Sequence, residues 1–534
     1  NLIGEINNLM YSFVLIVLLL GVGLYFTIRT RLVQLRMLPE SIRVVGEKSK
    51  GAHSISAFEA LMVSTASRVG TGNIVGVAGA ICIGGYGAVF WMWLIAIIGG
   101  ASAFVESTLA QIYKVRDKQG GSYGGPSYYI QAALNSRVLG VIFALVLIFT
   151  YAGGFNMLAS FNLIATMKGY SFYQQVNVPF FGGLILALLV AVCILGGGKK
   201  LVKVTGVLVP VMGVLYILMA LVVMVINMEL LPQVFKAIFV GAFDFEAIFG
   251  GFAGSAVMQG IKRGLFSNEA GVGSAPNAAA AADVSHPVKQ GLVQMLSVFI
   301  DTILVCTATA MMCLCSGVAP DPSMSDGASY VQAALSTVFG PVGPYFITVA
   351  MLLFAFTTLL GNLFYCEGCL NYIAGRSLNK LPLTVFRLVA AAVVFLGAQM
   401  ELNLVWNIAE VLMGLMALIN LPVIVILGKT ALDCLGDYVR QKREGRNPVF
   451  QAASIGLKQK TDFGTESDRE PARLPVFRAW NRTGKFFRQR KLGVFFLHIH
   501  VYNKIIVLWS SMACGRKQSN DKKQRQRDRG AFHL

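Results

Sequence analysis

Apolar residues in this chain come in long blocks, over approximately residues 10–28, 56–83, 88–113, 138–166, 178–195, 201–227, 247–282, 291–316, 342–365, 383–398 and 404–427. Most approach or exceed the roughly 20 residues that a helix needs to cross a bilayer. In lipid every backbone polar group must be satisfied internally, so each block predicts a helix rather than a strand or loop. The expectation is an all-α integral membrane protein with about eleven transmembrane helices. Basic residues follow the first block, at Arg29, Arg31, Arg36 and Arg43, instead of preceding it. That order predicts a retained span and not a cleaved signal peptide.

Composition narrows the class without changing it. The chain has 534 residues, 55% hydrophobic and 13% charged, with a mean hydropathy of +0.65. Soluble domains carry about 25% charged residues, so a wettable globule is excluded. The net charge of +19 raises nucleic acid as a partner, but its distribution points to a lipid bilayer instead. Lys and Arg gather in alternate loops: around Arg29–Lys50, at Lys114, Arg116, Lys118 and Arg137, at Lys199, Lys200 and Lys203, at Lys289, at Arg376 and Lys380, and in the tail. The intervening loops hold Gly84–Gly87, Lys168, a segment with Glu229, Lys236, Asp244 and Glu246, another with Asp321 and Asp326, and Glu401. The positive-inside rule then places the N-terminus outside and the C-terminus inside, in a multi-pass protein of the bacterial inner membrane. The nine cysteines show no extracellular framework. Cys366 and Cys369 make a lone CxxC, which is weak grounds for a metal or redox site.

Two segments depart from ordinary spanning helices. Residues 67–79 run Ser-Arg-Val-Gly-Thr-Gly-Asn-Ile-Val-Gly-Val-Ala-Gly, and residues 267–278 run Ser-Asn-Glu-Ala-Gly-Val-Gly-Ser-Ala-Pro-Asn-Ala. Each has a GxG centre followed by Asn and small residues. With the first span (10–28) set aside as an extra, they open two halves of five helices, repeat one over 56–228 and repeat two over 247–428, within a transmembrane domain of 1–430. Residues 431–534 form a basic cytoplasmic tail. Five spans invert orientation, so the halves are expected to be inverted repeats. Interrupted helices at matching places in such halves point to a transporter's site.

A break exposes unpaired N–H groups on one half-helix and carbonyls on the other. The first suit a carboxylate and the second a hard cation. Gly70, Thr71, Gly72 and Asn73 supply close-approach backbone, a hydroxyl and an amide. Phe266, Ser267, Asn268, Gly271, Gly273, Ser274 and Asn277 offer similar groups in the second half. Thr357 and Thr358 place adjacent hydroxyls in mid-span, and back-bonding to their own helix remains the alternative. Ionisable residues at membrane depth are functional candidates: Glu59, Arg68, Glu106, Arg263, Glu269, Asp301 and Glu410. Arg68 and Glu269 flank the two breaks at similar distances and are placed to pair as a gate. Asp301 is a proton or ion ligand, or the partner of a neighbouring helix. Glu59 and Glu410 lie nearer predicted ends, where an interfacial role is equally open.

The stretches Arg-Val-Gly-Thr-Gly-Asn (68–73), Gly-Ala-Val-Phe-Trp-Met-Trp (87–93), Gly-Leu-Phe-Ser-Asn-Glu-Ala-Gly-Val-Gly-Ser-Ala-Pro-Asn (264–277) and Ile-Asp-Thr (300–302) resemble the alanine or glycine:cation symporter family, with Gly-Gly-Pro (124–126) and residues 354–358 in support. The resemblance covers about residues 1–460 and stops near 464. It implies a leucine-transporter-like 5+5 fold of the amino acid–polyamine–organocation superfamily. It also implies uptake of alanine or glycine driven by sodium, sometimes by protons, with no cofactor. Gly70, Gly72, Thr71 and Asn73 would meet the substrate carboxylate, with Phe266 and its neighbours closing the site. Thr357 and Thr358 would join the carbonyls of Val69, Gly70 and Thr71 around sodium. Two departures bear on the pocket. The third core helix (155–165) lacks the Gln that often precedes Asn in the family, and Asn362 stands where a Trp is often found. The expectation is therefore a secondary symporter for a small neutral amino acid. A passive channel or facilitator, or a same-family symporter for another amino acid, is the alternative. No nucleophile–base–orienter arrangement marks an enzyme. The 493–514 stretch, with His498 and His500, has no assigned role.

Overall fold

The computed structural model describes residues 2–47, 55–116, 121–196, 198–244 and 255–457. The predicted features at Lys48, Lys50, Lys118 and Glu246, the first residues of the second repeat (247–254) and the tail beyond 457 lie outside the described residues.

The chain folds into helices that follow the apolar blocks: α1 (Leu2–Leu9), α2 (Leu15–Arg29), α3 (Ala57–Arg68), α4 (Val77–Gly84), α5 (Gly87–Ile112), α6 (Arg137–Ile148), α7 (Asn156–Ala165), α8 (Val178–Leu195), α9 (Gly198–Ile226), α10 (Ala256–Asn268), α11 (Pro276–Ala281), α12 (Pro287–Val298), α13 (Thr307–Leu314), α14 (Val342–Ala374), α15 (Lys380–Gly397) and α16 (Leu402–Arg443). Among the described residues eight helical stretches are long and apolar enough to cross a membrane. A ninth is the pair formed by α3 and the helix over Gly72–Gly84, bent by 55° at the break between them. Residues 256–281 divide into α10 and α11, each too short to span alone.

Four places depart from the uninterrupted helices that the blocks predict. Met10–Val14, Gly72–Gly76, Phe149–Phe155 and Phe299–Cys306 are π-helical, joining α1 to α2, opening α4, joining α6 to α7 and joining α12 to α13. Each wider turn puts an extra residue into the helix, a feature concentrated at functional sites. Short helices such as Leu231–Ala242 and Ala328–Phe339 occupy connections where no block was read. A two-residue antiparallel hairpin pairs Val115 with Tyr123 and Arg116 with Ser122, a small exception to the all-α expectation.

Burial follows the packing order. α5 is buried along nearly its whole length, packed against α2, α10 and α12. Its run of Gly, Ala and Ser at 99–103 lets these helices approach, as small residues do in membranes. α8, α9 and α15 lie at the other extreme, with Leu188, Val192, Val211, Val225, Leu381 and Val389 exposed. Exposed aliphatic side chains on these helices are what a lipid-facing surface requires. α16 runs past its apolar block to Arg443, and Phe450 N–H then bonds Ser285 O at 2.9 Å. The segment before 457 therefore packs on the helical body.

Candidate functional site

α3 begins on a capping box: Ser56 Oγ accepts the Glu59 N–H at 3.2 Å, and the Glu59 carboxylate accepts the Ser56 N–H at 2.8 Å. Glu59 is thus the third-position partner of the Ser56 cap, a cap worth about 1 kcal/mol. The helix ends at Arg68, since Val69 leaves helical dihedrals at φ −75° and ψ 83°. The next residue is held by the motif itself, as Asn73 Oδ1 accepts the Gly70 N–H at 2.9 Å. Gly70 has to be glycine, because a Cβ there would collide with Thr358 Oγ1.

The second break is built differently. α10 ends on Glu269 in the left-handed region (φ 52°), followed by Gly271 at φ 82° and Gly273 at φ 92°. Glycine adopts such angles without steric cost. Glu106 of α5 pins this loop: its Oε1 accepts the Gly271 N–H at 3.3 Å and its Oε2 accepts from Asn420 Nδ2 at 2.8 Å. Asn420 also donates to Gly271 O at 2.9 Å and accepts from Tyr129 OH at 2.5 Å. Pro276 opens α11 with its φ preset for the first turn. The carbonyls at the far end of α11 are taken by Gln111, by Ser122 Oγ (2.8 Å to Ala280 O) and by Lys114 Nζ (2.8 Å to Ala282 O). Burial pulls the Lys114 ammonium down to about 7.

Between the breaks lies a cavity with about 320 Å³ of space between atoms, its mouth included. Ser67, Arg68, Gly70, Thr71, Gly72 and Asn73 line it from the first break, and Phe266, Ser267 and Glu269 from the second. Phe155, Leu158, Ala159 and Thr358 complete the wall. Asn268, Gly271, Gly273, Ser274 and Asn277 do not line it. Asn268 Oδ1 caps the Ala270 N–H (3.0 Å), Ser274 Oγ donates to Glu269 Oε2 (2.5 Å), and Asn277 Nδ2 donates to Ser274 O (2.8 Å). These side chains shape the loop from behind, as a left-handed turn needs local partners. Val69 is likewise outside the lining.

Asn73 joins three elements. Its Nδ2 donates to Asp301 Oδ1 at 2.7 Å and to Ser267 Oγ at 3.0 Å, while Thr309 Oγ1 donates to its carbonyl at 2.7 Å. Asp301 also accepts from Ser267 Oγ (2.6 Å) and Thr302 Oγ1 (2.8 Å), so it stands behind Asn73 and not in the cavity wall. Thr71 Oγ1 accepts from Asn162 Nδ2 at 3.0 Å. Asn362 links Ser67 Oγ (2.6 Å) to Asn156 Oδ1 (2.9 Å). Asn362, where a Trp is often found in the family, thus forms a polar bridge with Asn156, 206 positions away.

The threonine pair divides. Thr357 Oγ1 bonds back to Leu353 O at 2.9 Å. Thr358 Oγ1 is buried beside Gly70 and has no hydrogen-bond partner among the described residues. Arg68 and Glu269 face the same cavity but form no ion pair within 4 Å, so the expected gate pair is not made. One buried ion-pair cluster lies elsewhere, at Glu410 of α16: Lys262 Nζ and Arg263 Nη1 each sit 2.7 Å from its oxygens, and Asn7 Nδ2 donates at 2.5 Å. Arg263 stacks over the Trp406 ring at 3.9 Å, Trp406 meets Phe266 at 5.0 Å and Phe266 meets Phe155 at 4.8 Å. Lys262, Trp406 and Asn7 were not singled out in the sequence. Only Arg263 and Glu410, as charges at membrane depth, gave a signal.

Apolar spanning helices with exposed aliphatic faces and a small, partly polar cavity at the break of a bent span fit a membrane transporter. The chain belongs to the sodium:alanine symporter family, whose model matches residues 1–452. It is 45% identical to the amino-acid carrier protein AlsT of Bacillus subtilis over 442 residues, covering 83% of this chain and 93% of that protein. It is 44% identical to the probable sodium/glutamine symporter GlnT of Bacillus subtilis over 452 residues, covering 84% and 93%. The sodium/alanine symporter AgcS of Methanococcus maripaludis is 40% identical over 436 residues, covering 80% and 94%. Among solved structures, a manganese transporter of Eremococcus coleocola superposes with a TM-score of 0.46 at 15% identity, over 76% of this chain and 81% of that one. The family places the chain among amino-acid:cation symporters and not among enzymes.

Proposed function

We propose that this transporter couples the entry of sodium to the uptake of a small neutral amino acid, alanine or glycine, by alternating access. The observation that carries this reading is the unpartnered Thr358 hydroxyl buried against the Gly70 break. A buried hydroxyl left without a partner costs about 1–3 kcal/mol, and a sodium ion held with carbonyls of the break removes that cost. Thr357, turned back on its own helix, is not part of the cation set in this reading. The amino acid lies in the cavity between the two breaks. Phe155, Leu158 and Phe266 crowd the side chain, which favours alanine or glycine over a larger amino acid.

The same reading takes α3–α9 and α10–α16 as two inverted repeats of five spans, with α1–α2 as the extra helix and eleven crossings in all. The N-terminus is outside and the C-terminus inside the bacterial inner membrane. A second reading, transport of glutamine by the same fold, has the 44% identity to a probable sodium/glutamine symporter in its favour. Uptake of labelled alanine, glycine and glutamine by proteoliposomes, with and without an inward sodium gradient, separates these readings. Sodium-driven accumulation of alanine or glycine is expected. Uptake that ignores both sodium and a collapsed proton gradient would refute coupling and favour a passive facilitator.

A further inference from the structure

Arg68 is 3% exposed, and only one of its guanidinium nitrogens is engaged: Nη1 donates to Gln294 O at 3.3 Å. Its Nε and Nη2 have no partner among the described residues. Those two nitrogens form the side-on edge of the guanidinium, whose parallel N–H groups match the two oxygens of a carboxylate. Leaving that edge empty is costly for a buried charge, so the position is built for a ligand with paired acceptors.

Glu269, 1% exposed, faces the same cavity from the second break. Its Oε2 accepts from Ser274 Oγ, and its left-handed backbone at φ 52° turns the chain at the end of α10. A cation and an anion that share a cavity without touching are complementary to a zwitterion. The first break, meanwhile, has already used several of its own polar groups. The Gly70 N–H is bound by Asn73 Oδ1, the Asn73 amide donates to Asp301, and Thr71 Oγ1 accepts from Asn162.

We propose that Arg68 and Glu269 clamp the zwitterionic backbone of the transported amino acid, with Nε and Nη2 of Arg68 on its carboxylate and the Glu269 carboxylate on its α-ammonium. The clamp rests on the amino-acid symport reading and adds the two charges that recognise an α-amino acid as such. Arg68 and Glu269 then read the part of the substrate that all amino acids share, and Phe155, Leu158 and Phe266 read its size.

The test uses the full chain in proteoliposomes, with sodium-driven alanine uptake read as KM and maximal rate, and sodium binding to the purified protein read without amino acid. The variants are R68K, E269Q and the double variant R68Q/E269Q. Lysine keeps the charge and removes the fork, so R68K is expected to raise the alanine KM at least about tenfold, and E269Q likewise. Sodium binding stays within about twofold of wild type, which general damage to the breaks would not allow. The double variant transports no better than the worse single one. KM values within twofold of wild type in both single variants would overturn the clamp, with wild-type symport left standing. So would recovery in the double variant, the behaviour of a gate pair whose two charges matter only to each other. A wild-type protein without sodium-driven uptake would instead remove the symport reading beneath it.

Discussion

Thr357 and Thr358 are neighbours in sequence with opposite situations. Successive residues on a helix point about 100° apart, so only one of the pair can face Gly70, and the sequence does not say which. In α14 it is Thr358 that meets the break, while Thr357 bonds to Leu353 O. Thr358→Ala is expected to raise the sodium concentration for half-maximal uptake by about tenfold, the equivalent of roughly 1.4 kcal/mol. Thr357→Ala is expected to shift it less than about twofold. A sodium titration of alanine uptake checks both. Asn73 was legible as a site residue from its GTGN setting, but its partners were not, because Ser267 and Asp301 lie 194 and 228 positions away. Asn73→Ala frees the Gly70 N–H and strips a donor from Asp301. It is expected to abolish uptake, to lower stability by about 1–3 kcal/mol and to leave membrane insertion intact. Uptake assays and thermal unfolding in detergent measure the first two effects, and membrane fractionation the third.

At the scale of elements, the GxG motifs announced both broken helices, because small residues and Pro276 are local signals. The π-helical turns were invisible, since nothing in an apolar run marks an extra residue in a turn. Three of them contribute Asn73, Phe155 and Asp301 to the cavity wall or to the residue behind it. Glu410 was readable only as a charge near a helix end. In the fold it ties α10 to α16 and to Asn7 of α1, which links the N-terminal helix through Arg263 and Trp406 to Phe266 of the cavity wall. Glu410→Ala leaves Lys262 and Arg263 without their anion and is expected to cost about 3–5 kcal/mol, seen as a lower melting temperature in detergent. An unchanged melting temperature would show that the pairing is idle. Outside the spanning helices, the Arg43 hydrogen bond, with Tyr438 and Lys442, holds the Glu40 carboxyl down to about 2. Its value in the folded state lies below that in the unfolded chain, so its contribution to stability is complete above about 4.5 and is lost as pH falls towards 2. Melting curves across that window are expected to fall less steeply with acid in Glu40→Gln than in wild type.

For the whole molecule, the apolar blocks located the helices well because bilayer thickness imposes a length that sequence can display. Their meeting around one cavity was not readable, since it depends on contacts such as Asn362 with Ser67 and Thr71 with Asn162 across distant parts of the chain. The central claim is that one cavity binds sodium and a small amino acid together, so that each carries the other. Coupling of that kind is reciprocal. The most direct measurement is sodium movement driven by the amino acid: proteoliposomes with equal sodium on both sides, an inward alanine gradient and radioactive sodium outside. Sodium is expected to accumulate transiently inside and to decay with the alanine gradient. Sodium entry at the same rate with and without alanine would contradict it.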